Sequence, residues 1–200
     1  MMTPDNHAPQ TPRQQPTVRF LLSDPLHTIA LGFGSGLSPW APGTIGTLFG
    51  WATFRALDMV LPASSFLLLI LVSFVVGIVA IEKTGKALNE IDHGSIVWDE
   101  IVPFWGVLWL LANTIGDSLL WQAIAFALFR LYDITKPWPA RHYDRNVKNG
   151  YGVMMDDVVA ALYTAGSLAI LLALAYTQAH GAGSHRRMRV PCACAPWPRC

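Results

Sequence analysis

Residues 63–81 read ASSFLLLILVSFVVGIVAI, without a charged side chain, and Glu82 and Lys83 follow at once. About 20 predominantly apolar residues in a helix cross the hydrocarbon core of a bilayer. The run therefore reads as a transmembrane helix, and Val158 to Tyr176 is a second candidate of similar quality. Between them lie two shorter apolar runs, Ile101–Ile115 and Leu119–Phe129, parted by Gly116-Asp117-Ser118. A Gly-Asp-Ser break marks a turn, so the pair reads as a helical hairpin with arms marginal in length for spanning. Trp105, Trp109 and Trp121 suit either an interfacial belt or helix packing. A soluble bundle with a very apolar core is the alternative, and two charge-free runs favour the membrane. The expected fold is an all-α integral membrane helical bundle with short interfacial segments.

The 200 residues are 52% hydrophobic and 14% charged, with a net charge of +1. That length suits one domain, and the charge provides no basic face to track nucleic acid phosphates. Residues 1–20, rich in Pro, Gln and Thr in their first part, are expected to be a disordered lead-in. They lack the basic start and apolar run of a signal peptide, which argues against secretion. The helical membrane domain is expected over 21–177, and a disordered basic tail over 178–200. All three cysteines, 192, 194 and 200, fall in that tail. The body can hold neither a disulfide framework nor a cysteine nucleophile. A metal contact at Cys192-Ala-Cys194 is less expected than a disordered tail, and Trp197 occupies the position a prenylated cysteine would need.

Ahead of the first apolar run, residues 25–47 read PLHTIALGFGSGLSPWAPGTIGT. Glycines and prolines in that density exclude a regular helix through the middle. Leu48–Leu61 then reads as helix, with Arg55 and Asp58 in it. Glycine-rich backbone before a helix can present N–H groups to an anion, with Thr44 or Thr47 as cap or ligand. An irregular packed loop is the plainer reading, and no Walker Gly-Lys-Ser/Thr follows.

The polar residues that need explaining are DHGSIVWDE at 92–100, Asp133 and Lys136 after the hairpin, and Asp156-Asp157 before the last run. Asp99 and Glu100 could be first-turn acids of a helix beginning near Ile101. Residues 130–157 form the longest polar connection, with Pro137 and Pro139 ending the helix before them. When the apolar runs are threaded as spans, 92–100, Arg130, Asp133, Lys136 and Asp156-Asp157 all fall on one membrane surface. The glycine-rich stretch joins them if Leu48–Leu61 also crosses. The connections there carry Lys83, Lys86, Arg130, Lys136, Arg141, Arg145 and Lys148, and the short loops opposite carry no basic residue. By the positive-inside rule that surface is cytoplasmic. The tail arginines 186, 187 and 189 count against this orientation. Carboxylates gathered without a counter-ion repel by about 4 kcal/mol per pair at 4 Å and an effective dielectric near 20. A hard divalent cation removes that repulsion, and oxygen-only ligands point to Mg²⁺. Lys136, with Arg130 or Arg141, would meet the charge of a phosphate. Such a site suits a phosphomonoesterase or phosphotransferase.

The segments GFGSGLSPWAPGTIGT, HGSIVWDE, FRLYDITKPWP and YGVMMDD, in this order between Pro25 and Tyr176, resemble the phosphatidylglycerophosphatase A family of bacterial lipid phosphatases. The resemblance implies hydrolysis of phosphatidylglycerophosphate to phosphatidylglycerol, with Mg²⁺, at the cytoplasmic (inner) membrane. Matched positions include Gly34, Pro42, Gly43, Thr44, Asp99, Glu100, Asp133, Lys136, Pro137, Asp156 and Asp157. On this reading Asp99, Glu100, Asp156 and Asp157 are the metal ligands, and Asp133, Lys136, Asp99 and Asp156 the catalytic set. Gly34, Gly43, Thr44, Arg130 and Lys136 would bind substrate phosphate. Pro103 stands where the family commonly has Gly, and a first-turn position would tolerate it. Two rivals are weaker. A CDP-alcohol phosphotransferase would carry an Asp-Gly-x-x-Ala-Arg signature, absent here, and a divalent-cation transporter would place its acids at mid-membrane depth.

Overall fold

The computed structural model describes residues 15–140 and 147–184, with side chains described as far as 178. The described residues form helices and connecting loops, with no strand. In chain order the helices are α1 Val18–Leu21, α2 Pro25–Ala30, α3 Pro42–Asp58, α4 Ala63–Ala87, α5 Trp98–Ile115, α6 Leu119–Thr135 and α7 Gly150–Ser184, with a 3-10 segment, Gly32–Leu37, before α3. This confirms the all-α class. Residues 1–14, the tail cysteines and arginines, and Arg141 and Arg145 lie outside the described residues.

Helix α5 is the axle of the bundle, packed by α3, α4, α6 and α7. Its residues Trp98 to Trp105 are buried without interruption, as expected of a helix apolar on all sides. Its tryptophans serve helix packing: Trp98 Nε1 donates to Ser73 O of α4 at 3.0 Å, and Trp105 Nε1 to Gly50 O of α3 at 2.8 Å. The hairpin turn falls as expected, with Gly116 in positive φ at the end of α5. At that end Trp51 donates to Gln122, Gln122 donates to Asp117, and Asp117 pairs with Arg55.

Three boundaries differ from the expectations, each for a local reason. Helix α3 starts at Pro42, not Leu48, because proline at the first helical position has its φ already set. Gly46, expected in a loop, is a contact position. A Cβ on it would lie 2.6 Å from Val97 Cβ, and one on Gly50 would lie 3.4 Å from Ile101 Cα, so α3 lies backbone-close on α5. Helix α7 starts at Gly150, where Asn149 Oδ1 accepts from Gly152 N at 2.9 Å and Glu82 Oε2 accepts from Gly150 N at 2.7 Å. Asp156 and Asp157 are thus inside a helix, not at the end of a loop. Helix α5 starts at Trp98, so Pro103 lies in its second turn and the bond to Asp99 O is forgone. Helices also begin at Val18 and continue to Ser184, inside the expected lead-in and tail.

Among the described residues, α4 and the 150–178 part of α7 are long and apolar enough to cross a membrane. Only 28% and 22% of their most apolar windows are buried in the bundle. Leu68, Val75 and Val79 of α4 and Leu162, Ile170 and Leu174 of α7 face outward. Core helices of a soluble protein would bury that surface, whereas lipid leaves it satisfied. Gly77 lets the two spans close on the axle, since a Cβ there would lie 2.7 Å from Trp98 Cδ1 and 3.1 Å from Met154 Sδ.

Two expectations follow. Gly46→Ala should destabilise by about 1–3 kcal/mol through overpacking against Val97. Gly106→Ala, whose methyl would meet nothing within 4 Å, should instead stabilise by about 0.4–1 kcal/mol. Thermal unfolding in detergent reads both. Asp24 caps α2 and pairs with Lys83, and the Lys83 ammonium, then the Leu26 N–H, hold its carboxyl below the usual aspartate range. Its stabilisation is complete above that range and is lost as the pH falls through the lowered pKa. Asp24→Asn should therefore flatten the acid limb of a stability–pH profile.

Candidate active site

The site is assembled at the end of the bundle where α3, α5 and α7 begin and α6 finishes. Glu100, in the first turn of α5, points at α6, where Arg130 Nη1 meets its Oε2 at 2.5 Å. The same nitrogen lies 2.6 Å from Asp133 Oδ2, one turn further along α6. Thr47 of α3 completes the cluster. Its Oγ1 lies 2.7 Å from Glu100 Oε2 and 2.9 Å from Gly43 O, so its single hydrogen serves one of the two. The Arg130 and Glu100 side chains are only 14% and 12% exposed. Arg130 therefore spans a dry gap between helices and is not an interfacial anchor.

Lys136 closes α6 in the left-handed region, with φ 41°. That conformation costs an ordinary side chain about 1–2 kcal/mol. It places Nζ 2.6 Å from Asp156 Oδ2 and 3.8 Å from Asp92 Oδ2. Asp99 and Asp157 are buried within Coulombic range of this set. Asp99 feels Glu100, Asp92, Asp156 and Asp133, and Asp157 feels Asp133, Asp156, Asp99 and Glu100. Asp99 Oδ1 is sealed from solvent without a hydrogen-bond partner. The acids 99, 100, 133, 156 and 157, with Arg130 and Lys136, thus come together from three segments of sequence.

The glycine-rich stretch contributes differently from its expected role. Gly43 belongs to α3, and a Cβ there would run into the Glu100 carboxylate and lie 3.0 Å from Arg130 Nη2. Its missing side chain makes room for the ion pair. Thr44 follows it in the first turn of α3, half-buried. Gly34 has φ +101° in the 3-10 segment, and the nearest neighbour of an added Cβ would be Leu21, away from the acids. Thr47, expected only as an alternative cap or anion ligand, and Asp92, expected only as part of the polar stretch 92–100, join this network. A helix start at Pro42 would have put Thr47 one turn above Gly43, on the face that meets Glu100. His93 is also buried: its Nδ1 accepts from Ser95 N at 3.2 Å and its Nε2 has no hydrogen-bond partner.

Chemically, the arrangement offers carboxylate oxygens for a hard cation or a water proton, beside an ammonium and a guanidinium for a polyanion. Among the described residues no three acidic, imidazole or thiol side chains stand close enough to form a ready metal cage. Arg130 and Lys136 occupy the carboxylates instead. The donor set still suits Mg²⁺, being oxygen-only and including the unpartnered Asp99 Oδ1.

Residues 28–172 match the family model described as Phosphatidylglycerophosphatase A. The chain is 42% identical over 150 residues to phosphatidylglycerophosphatase A of Escherichia coli K12, covering 75% of this chain and 85% of the relative. It is 44% identical over 148 residues to that of Haemophilus influenzae, covering 74% and 89%. A Bacteroides thetaiotaomicron protein provisionally named a phosphatidylinositol-3-phosphatase is 44% identical over 142 residues, covering 68% and 86%. No solved structure matches the chain.

Because Arg130 neutralises two carboxylates in a nearly dry setting, Arg130→Ala should cost roughly 3–5 kcal/mol of stability. Thr47→Val, which removes a hydroxyl from a buried carboxylate, should cost about 1–3 kcal/mol, and Thr47→Ser should recover most of it. Thermal unfolding of the purified variants checks all three.

Proposed function

Since the chain belongs to the phosphatidylglycerophosphatase A family, we propose that the charged network at the shared helix ends performs its hydrolysis of phosphatidylglycerophosphate, on the cytoplasmic face of the membrane and with Mg²⁺. The observation that carries the assignment is the meeting of Lys136 with Asp156, and of Arg130 with Glu100 and Asp133, beside the buried Asp99 and Asp157. Lys136 and Arg130 bind the terminal phosphate and hold its charge as it is transferred. The oxygen of a water bonds to phosphorus as the bond from phosphorus to the glycerol oxygen breaks. Asp133 accepts the proton of that water and returns it to the departing oxygen, so phosphatidylglycerol and phosphate leave with the proton balance closed. Asp99, Glu100, Asp156 and Asp157 are the residues that would hold Mg²⁺, whose contribution there is neutralisation of the phosphate oxygens. Gly43 and Thr44 border the phosphate side from the start of α3.

The orientation is supported by charge. Lys83, Lys86, Lys136 and Lys148 lie at or beside the acid-bearing helix ends. At the opposite end Arg55 is matched by Asp117. Asp99, Glu100 and Asp133 sit in the first or last turn of their helices, and Asp156 and Asp157 in the second turn of α7, none of them at mid-depth, which disfavours an ion path.

Asp99→Asn and Asp156→Asn should each lower phosphate release from phosphatidylglycerophosphate by at least about 100-fold, with thermal unfolding in detergent little changed for Asp99→Asn and lowered for Asp156→Asn, which weakens the pair with Lys136. Acids that only complement helix dipoles would cost about 0.3–1 kcal/mol of stability and leave turnover intact. Excess chelator should abolish activity and added Mg²⁺ restore it; full activity in chelator would remove the metal from the mechanism. Phosphatidylinositol 3-phosphate, suggested by the Bacteroides relative's name, should be the poorer substrate.

A further inference from the structure

An apolar groove leaves the acid end of the bundle between α5 and α7, and no step of the hydrolysis uses it. Its first part, about 250 Å³, is walled by Val102 and Gly106 of α5, Val158 of α7 and Phe74 of α4. Its second part, about 290 Å³, continues along α5 and α7 to Leu172, and the two parts share Ala165. No charged side chain lines either part. Val158 directly follows Asp157, and Val102 lies within one turn of Asp99, so the groove begins within a helical turn of both acids. From Val158 to Leu172 it is about 21 Å long at 1.5 Å per residue, most of the way across a hydrocarbon core of about 30 Å. Leu110 and Leu162 on its rim are exposed, so it is reached from the same apolar surface that α4 and α7 present outward.

We propose that this groove holds one acyl chain of the phospholipid whose phosphate lies among the carboxylates. The inference rests on the lipid-phosphatase reading and deepens it. A lipid with its head group at Asp99 and Asp157 has to run its tails along the helices, and the groove supplies a path of matching length and polarity. A chain entering from the bilayer gains little hydrophobic free energy, because lipid tails are as apolar as the walls. The groove therefore acts by alignment: it fixes the depth and tilt of the lipid so that its phosphate stays at Lys136 and Arg130.

Gly106 provides the test. A side chain there meets no protein atom within 4 Å of its Cβ and projects into the groove, about 10 Å along α5 from Asp99. Phosphate release is measured for Gly106→Leu and Gly106→Phe on dihexanoyl and dipalmitoyl phosphatidylglycerophosphate in the same detergent, with thermal unfolding and size-exclusion profiles. The KM for the dipalmitoyl lipid should rise at least tenfold, and that for the dihexanoyl lipid, whose chains are ten methylenes shorter and engage less of the groove, by a several-fold smaller factor. Ala165→Leu, on the facing wall, should give the same split and serves if a Gly106 variant fails to fold. Unchanged kinetics on both lipids, or equal losses on both, overturns the proposal. So does a change in oligomeric size with unchanged chain preference, which would make the face a protein interface. A parent protein that hydrolyses neither lipid would overturn the phosphatase reading beneath it.

Discussion

Burying carboxylates is the constraint from which the rest of the structure follows. A carboxylate taken into an apolar bundle loses several kcal/mol of solvation, and neighbouring carboxylates add their mutual repulsion. Arg130 answers this by standing between Glu100 and Asp133, and Lys136 by reaching Asp156. Each cation ties two helices: Arg130 joins α6 to α5 at the end opposite their hairpin turn, and Lys136 joins α6 to α7. The ion pairs thus set the rotation of α6 about its own axis as well as neutralising charge. Net stabilisation from such pairs is small, because desolvation consumes most of the Coulombic gain. Their value lies in the register they impose and in holding charged groups where water is scarce.

Apolar packing bears the cost of keeping that network in place. Helix α5 is buried along its first two turns, so Asp99 and Glu100 are carried on the most constrained element of the bundle. Glycines at 46, 50 and 77 bring α3 and α4 against it closely enough that the indoles of Trp98 and Trp105 reach backbone carbonyls on those helices. Positions set by backbone contact move little, and a phosphoryl-transfer site gains from groups that need no reorganisation. Lys136 shows the converse. Its left-handed backbone is an unfavourable state that persists because Pro137 stops the helix and Asp156 holds the ammonium.

A lipid phosphatase must admit a substrate that is polar at one end and apolar along most of its length. The molecule meets both demands by separating them along the helix axes. Charged groups gather at one end, while outward faces of α4 and α7 stay apolar for their length. The phosphate can therefore be bound without drawing the lipid out of the bilayer.

Periodicity and charge alone determined the class of structure: two charge-free runs, a hairpin at Gly116-Asp117-Ser118, and acids confined to the run ends. These were legible because transfer of apolar residues to lipid and of charges away from it depends on composition, which a sequence displays directly. The acids that the fold brings together could be named for the same reason, together with the family resemblance. What composition cannot display is which helix faces touch. Gly43 and Gly46 read as loop residues because their permissiveness suggests a turn, and only contact with Glu100 and Val97 shows that they allow close approach. Thr47 reads as a loop cap or ligand for the same reason, and its bond to Glu100 follows only from the earlier helix start; Asp156-Asp157 belong to α7 because Asn149 and the sequence-distant Glu82 cap its start together. The pairing of Arg130 with Glu100, thirty residues away, was decided by the tertiary structure, because a pair energy depends on distance and local dielectric, and both exist only after the helices have packed.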